Sequence, residues 1–237
     1  MKVLYLIAFT SCIYHSIQHV IHKRDDEDCN FCVQVVRKPL PVWFEFVQNT
    51  TIKPEETCTT FCSQLPDIRS ALVCDLYCPQ YQLHNFIDFI KGSYNDPIFY
   101  CQQAKECFGQ DGGMVHVVNA TLFPNNGSEV YRFLELRYEI TKPINPGQYK
   151  IMVKTVDGFP VHMESINTVT DPGLYAVQFF IQTSRSASCH PEVKPCETWV
   201  PGRYVVDYKL CGYECDSKAP TREDYFQGQE SFIIDQV

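Results

Sequence analysis

Residues 58–78 read Cys58-Thr59-Thr60-Phe61-Cys62-Ser63-Gln64-Leu65-Pro66-Asp67-Ile68-Arg69-Ser70-Ala71-Leu72-Val73-Cys74-Asp75-Leu76-Tyr77-Cys78, and they decide the fold of the amino-terminal half. Residues four apart are neighbours on one face of a helix, so Cys58 and Cys62 share a face, as do Cys74 and Cys78. A helical hairpin turning at Pro66-Asp67 sets Cys62 opposite Cys74 and Cys58 opposite Cys78. Such a ladder requires the Cα atoms of each pair to lie within roughly 7 Å.

The same logic extends outward. Cys29 and Cys32 sit three apart near the start of the helical region, and Cys101 and Cys107 sit six apart near its end. Two such pairs on antiparallel helices can close the segment in nested fashion, Cys29 to Cys107 and Cys32 to Cys101. Between them the apolar spacing is helical. Phe31, Val35 and Val36 form one segment, which Pro39-Leu40-Pro41 ends. The apolar run Val42-Trp43-Phe44-Glu45-Phe46-Val47 starts the next. Pro54-Glu55-Glu56 reads as the first turn of a helix leading to Cys58. Ile68, Leu72 and Leu76, then Phe86-Ile87-Asp88-Phe89-Ile90, continue the helical pattern, and Asp96-Pro97 opens the last helix.

In order and spacing, Cys29, Cys32, Cys62, Cys74, Cys101 and Cys107 resemble the six-cysteine signature of saposin B-type domains. The run from Cys74 through Tyr81, Phe86–Gly92 and Pro97 to Cys107 is similar to the second half of saposin repeats, and Asn49 sits where saposins often carry a glycan. Cys58 and Cys78, which look like a fourth bridge, depart from the pattern, as does the Pro39/Pro41 interruption. The resemblance covers residues 27–109 and implies an all-α, disulfide-stapled domain that turns apolar faces toward lipid. Trp43, Phe44, Phe46, Val47, Leu83, Phe86, Ile87, Phe89 and Ile90 are the candidate lining. A saposin-type domain followed by a β-rich, cysteine-containing half also resembles the countin-like secreted proteins.

After a turn-rich linker at 110–113, alternation replaces helical spacing over 114–237. Leu134, Leu136, Tyr138 and Ile140 share one face of a strand; Tyr149, Ile151 and Val153 do so in a second; Tyr175, Val177, Phe179 and Ile181 in a third; Tyr204, Val206, Tyr208 and Leu210 in a fourth. The phrase Pro-Gly-x-Tyr precedes three of them, at Pro146–Tyr149, Pro172–Tyr175 and Pro201–Tyr204. Pro-Gly suits a type II turn with glycine at positive φ. The expected architecture is therefore two domains, an all-α stapled unit and an antiparallel β-sandwich. Cys189, Cys196, Cys211 and Cys215 are expected to pair among themselves, and spacing does not choose between the three pairings.

Residues 1–16 read as an export signal, with Lys2 before the apolar run Val3–Phe9, and residues 17–28 as an acidic leader. Cys12 falls in the signal, so twelve of the thirteen cysteines remain, an even number that suits disulfides in an oxidising compartment. Sequons at Asn49, Asn119 and Asn126 agree, so the chain is expected to be a secreted or lysosomal glycoprotein. A net charge of −8 without a basic stripe argues against a nucleic-acid partner. His84, His116, His162 and His190 have no metal-ligand spacing, and no nucleophile elbow or phosphate-cradling loop is present, so no cofactor, metal or catalytic residue is expected. The leading expectation is a non-catalytic lipid-binding protein working on lipids or a membrane surface, with a homodimer and a protein partner for the carboxy-terminal domain as further expectations. The alternatives are a membrane-permeabilising defence protein and a countin-like signalling or interaction protein whose helical domain is structural.

Overall fold

The prolines that end the first apolar segment also begin a helix. In the computed structural model, which describes residues 27–53, 55–128, 130–156, 158–184, 192 and 199–235, helix α1 covers 27–36 and Arg37-Lys38 form a turn. Helix α2 is Pro39–Asn49. Pro39 and Pro41 occupy its first turn, where a missing N–H breaks no helical bond.

Helix α3, Cys58–Cys62, starts later than the sequence suggests. Pro54 lies outside the described residues, and Glu55 and Glu56 are not helical. Thr57 decides the start through a reciprocal cap: its Oγ1 accepts from the Thr60 N–H at 3.3 Å, and the Thr60 Oγ1 accepts from the Thr57 N–H at 2.9 Å. Glu56 accepts from the Lys53 N–H instead. Helix α4 is Ile68–Tyr81, capped by Asp67, whose carboxylate accepts from the Ser70 N–H at 2.8 Å. Gln82, at φ +66°, turns the chain into α5, Leu83–Gly92. Helix α6, Pro97–Gln103, follows the buried cap Asp96, which accepts from the Ile98 and Phe99 N–H groups at 2.8 and 3.0 Å.

The chain divides into two compact units, one running up to Phe108 and taking in Ser217–Pro220, the other made of Gly109–Asp216 and Thr221–Val237. Strands of the second unit form two antiparallel sheets. One has the order β1-β2-β5, with β1 Met114–Phe123, β2 Tyr131–Lys142 and β5 Gly173–Gln182. The other has the order β4-β3-β6-β7, with β3 Gly147–Lys154, β4 Pro160–Asn167, β6 Gly202–Gly212 and β7 Asp224–Ile234. Inward residues of both sheets share one core that includes Leu134, Leu136, Ile151, Val206 and Phe232, the arrangement of a β-sandwich.

The Pro-Gly-x-Tyr phrases serve a different purpose from the expected type II turns. Gly147 and Gly173 have no positive φ, and Gly202 stands at +151° rather than the roughly +80° that turn requires. Gly147 is instead a point of close backbone approach: a Cβ there would lie 1.8 Å from the Cys211 carbonyl oxygen. Two of the tyrosines tie strand to preceding loop. The Tyr175 hydroxyl donates to Asp171 O at 3.0 Å, and the Tyr204 hydroxyl to Val200 O at 2.7 Å. The second, at the start of β6, has the form of a tyrosine corner. Tyr149 points into the core, where its hydroxyl meets those of Tyr138 and the side chain of Asn167.

Candidate functional site

In the helical unit the geometry begins with its bridges. Cys29 is bonded to Cys107, Cys32 to Cys101, Cys58 to Cys78 and Cys62 to Cys74, with Cα separations of 4.5, 6.0, 5.6 and 5.6 Å. These bonds fix how each helix is rotated. Side chains on a helix advance about 100° per residue, so once Cys74 and Cys78 face α3, Leu72 and Leu76 stand about 200° away. The exposures follow: Cys74 and Cys78 are fully buried, whereas Ile68, Leu72 and Leu76 are 79%, 63% and 57% exposed. Periodicity placed these three residues on a helix but did not say that their face is bare. The cysteine spacing carried that signal.

The candidate lining residues lie elsewhere. Trp43 and Val47 on α2, and Leu83, Phe86, Ile87 and Ile90 on α5, are buried; Phe44, Phe46 and Phe89 are half-buried. They pack on one another and on neighbouring aromatics. Trp43 meets Phe86 edge-on at 5.3 Å, Phe46 meets Phe61 at 5.4 Å, and Tyr81 meets Phe89 at 5.0 Å. The Trp43 indole N–H donates to Ser70 O at 3.0 Å, so the largest ring of this core is satisfied at both its apolar and polar ends. Burial raises the Tyr100 hydroxyl well above its ordinary pKa, and that hydroxyl has no hydrogen-bond partner among the described residues.

A second bare apolar surface lies on the β1-β2-β5 sheet. Register sets Phe123 opposite Phe133, and Phe133 opposite Phe180. The rings follow that row, with Phe123–Phe133 at 5.4 Å, Phe133–Phe180 at 5.2 Å and Tyr131–Phe180 at 4.8 Å. Phe123, Tyr131 and Phe180 are each about two-fifths to one-half exposed. Sequence reading followed the opposite, inward parity of β2 and β5 and passed over this row. Asn119 and Asn126 are exposed, at the outer side of β1 and in the following loop, and Asn49 is exposed at the end of α2. The Asn119 amide donates to the Thr121 hydroxyl of its own sequon at 2.9 Å.

Cys211 and Cys215 are bonded to each other, with Cα atoms 5.2 Å apart. Cys189 and Cys196 lie outside the described residues, as do the signal segment and His190. Among the described residues no group of His, Cys, Asp and Glu could hold a metal ion, and no helix is long and apolar enough to cross a membrane.

Fold and bridges together define a two-part protein, a disulfide-rich helical unit followed by an antiparallel β-sandwich. The chain belongs to the countin family: the Countin N-terminal domain matches residues 20–105 and the Countin C-terminal domain matches residues 115–237. Countin-1 of Dictyostelium discoideum is 25% identical over 210 residues, 88% of this chain and 78% of that protein. Countin-3 of the same organism is 22% identical over 195 residues, 82% of this chain and 83% of the relative. Among solved structures, the C-terminal domain of wzt covers 55% of this chain and 78% of its own at 9% identity, with a TM-score of 0.37, a likeness too loose to bear on function.

Proposed function

We propose that this chain is a secreted, non-catalytic signalling or interaction protein of the countin kind, glycosylated at Asn49, Asn119 and Asn126, that acts through its surfaces. The observation that carries this reading is the closed interior of the helical unit: Trp43, Phe61, Phe86 and Ile90 are fully buried behind four bridges. A unit packed this way works as a rigid scaffold for surface contacts. Family membership over both halves supports the same reading. Purified protein added to cells of its own source should bind saturably, and digestion of cell-surface protein should abolish that binding. Retention of the chain inside lysosomes, or binding only to protein-free lipid, would overturn the proposal.

Lipid binding is the second reading, supported by the resemblance of the cysteine pattern to saposin B-type domains. It requires α2 and α5 to part, so that Trp43, Phe86 and their neighbours meet acyl chains while the bridges stay closed. Mass spectrometry of the protein purified from its native medium checks it: stoichiometric co-purifying lipid favours this reading, and its absence favours the first. Leakage of dye-loaded vesicles would separate a membrane-permeabilising role from both.

A further inference from the structure

Two of the chain's three sequons border the aromatic row of the β1-β2-β5 sheet, and one of them faces it. Asn119, Thr121 and Phe123 alternate along β1 with the inward Ala120 and Leu122, so all three side chains stand on the outer face. Register carries that face across the sheet in three successive rows: Asn119, Arg137 and Ala176; then Thr121, Glu135 and Gln178; then Phe123, Phe133 and Phe180. Asn126 lies in the loop after β1, which is tied inward and to the opposite sheet. The Ile233 N–H donates to Asn125 O at 2.8 Å, and the buried Arg132 guanidinium donates to Gly127 O at 2.8 Å. We infer that the N-linked glycan of Asn119 lies along the outer face of this sheet and covers the aromatic row.

Reach and chemistry both fit. Asn119 and Phe123 are four residues apart on one strand, about 13 Å, a distance that several linked sugars span. The Asn119 amide nitrogen, the atom that takes the sugar, lies 2.9 Å from the Thr121 hydroxyl and is thus turned along the strand toward Phe123. A pyranose ring has a face of C–H bonds and a rim of hydroxyls. The first packs on aromatic rings, whose faces carry partial negative charge; the second needs hydrogen-bond partners. This sheet supplies both in the order that the glycan meets them. Thr121, Glu135 and Gln178 form a polar row next to the attachment point, and the three phenylalanines follow.

A contiguous row of exposed rings marks a contact site, and here the contact is made before any partner arrives. A membrane or a second protein would have to displace a bulky, hydrated glycan rooted on the same face. The cover also shields β1, which is an edge strand, from pairing with another chain.

This covering rests on the glycosylation proposed above. Glycopeptide mass spectrometry of the full secreted chain first reads the occupancy of Asn119, and hydroxyl-radical footprinting then reads the exposure of each ring. Phe133 and Phe180 should be oxidised several-fold more slowly in the glycosylated chain than in Asn119→Gln, whereas Asn126→Gln should leave their rates at wild-type values. In urea, Asn119→Gln should lower the transition of the sandwich. Much of that loss should vanish in a Phe180→Ser background, because the two changes remove one contact; Phe180 is half exposed, so the fold tolerates the change. An unoccupied Asn119 would overturn both the covering and the glycosylation of that residue. An occupied Asn119 whose rings oxidise as fast as in Asn119→Gln would overturn the covering alone and leave the row open to a partner protein or membrane. Additive losses in urea, or protection that Asn126→Gln removes instead, would also overturn the covering alone.

Discussion

The helical unit and the β-sandwich are held together by different means. In the first, bridges span 78, 69, 20 and 12 residues and surround a small aromatic core. In the second, two sheets interdigitate, and the bridge between Cys211 and Cys215 closes a separation of only four residues. Small units bury a smaller fraction of their surface on folding, so the amino-terminal half depends on restricting its unfolded chain. The larger half can rely on packing, strand pairing and buried tyrosine hydrogen bonds. Covalent ties also dictate helix rotation, which sheet packing does not, and that is why the bare stripe of α4 exists.

The sharpest way to break this contrast is to remove the two nested long bridges together and, separately, the short one. Chain entropy assigns about 4.5 kcal/mol to the long loop that Cys29–Cys107 and Cys32–Cys101 jointly close and about 2 kcal/mol to the Cys211–Cys215 loop. Replacing Cys29, Cys32, Cys101 and Cys107 together by Ser should therefore lower the helical transition far more than Cys211→Ser with Cys215→Ser lowers the β transition, as read by urea unfolding followed at helix-sensitive wavelengths and by sandwich amide exchange. Equal losses would refute the division of labour.

Trp43→Ala probes the core inside the bridges. Truncating a buried Trp typically costs about 3–5 kcal/mol, and here it also leaves Ser70 O without its indole donor. The helical unit should unfold at markedly lower urea while the amide protection of β2, β3 and β6 stays unchanged.

Two tyrosine-to-phenylalanine changes refine the comparison. Tyr204→Phe removes the bond to Val200 O and should cost the sandwich about 1 kcal/mol. Tyr100→Phe removes a buried hydroxyl without a partner among the described residues, and the helical unit should keep or gain melting temperature. A loss at Tyr100 equal to that at Tyr204 would contradict this.

The smallest effect concerns pH. Hydrogen bonds from the Ser70 side chain and then its backbone hold the Asp67 carboxyl below its ordinary value of 3.8. A group lowered on folding stabilises fully above its unfolded value and loses that contribution as pH falls through the folded one. The melting-temperature gap between wild type and Asp67→Ala should therefore be constant from neutral pH down to about 4 and shrink in stronger acid. A gap that widens below that point would contradict the cap.

How much was legible depended on position within the sheet. Of the four alternating segments read from sequence, β2, β3 and β6 are inner strands with one face fully inside, such as Leu134, Leu136, Tyr138 and Ile140. The three strands that went unread, β1, β4 and β7, all lie at sheet edges, where burial is broken: β1 leaves Val117, Val118 and Phe123 exposed. Edge position alone does not hide a strand, since β5 is also at an edge and was legible because Phe179 and Ile181 keep one of its faces buried; alternation fades where that continuous buried face is lost. The helix before Cys58 failed for a local reason, since Pro54-Glu55-Glu56 has a first-turn composition but the paired threonines at 57 and 60 supply the actual cap.

Residue order alone settled which side chains share a face: the cysteines at 58 and 62, those at 74 and 78, and the row of Ile68, Leu72 and Leu76. Periodicity and spacing are properties of the local chain. Which of two apolar faces is covered was decided only in three dimensions, because a helix such as α4 is greasy on both sides and burial goes to whichever side meets a neighbour. Likewise Phe123, Phe133 and Phe180 are far apart in the chain and became one aromatic row only through strand register.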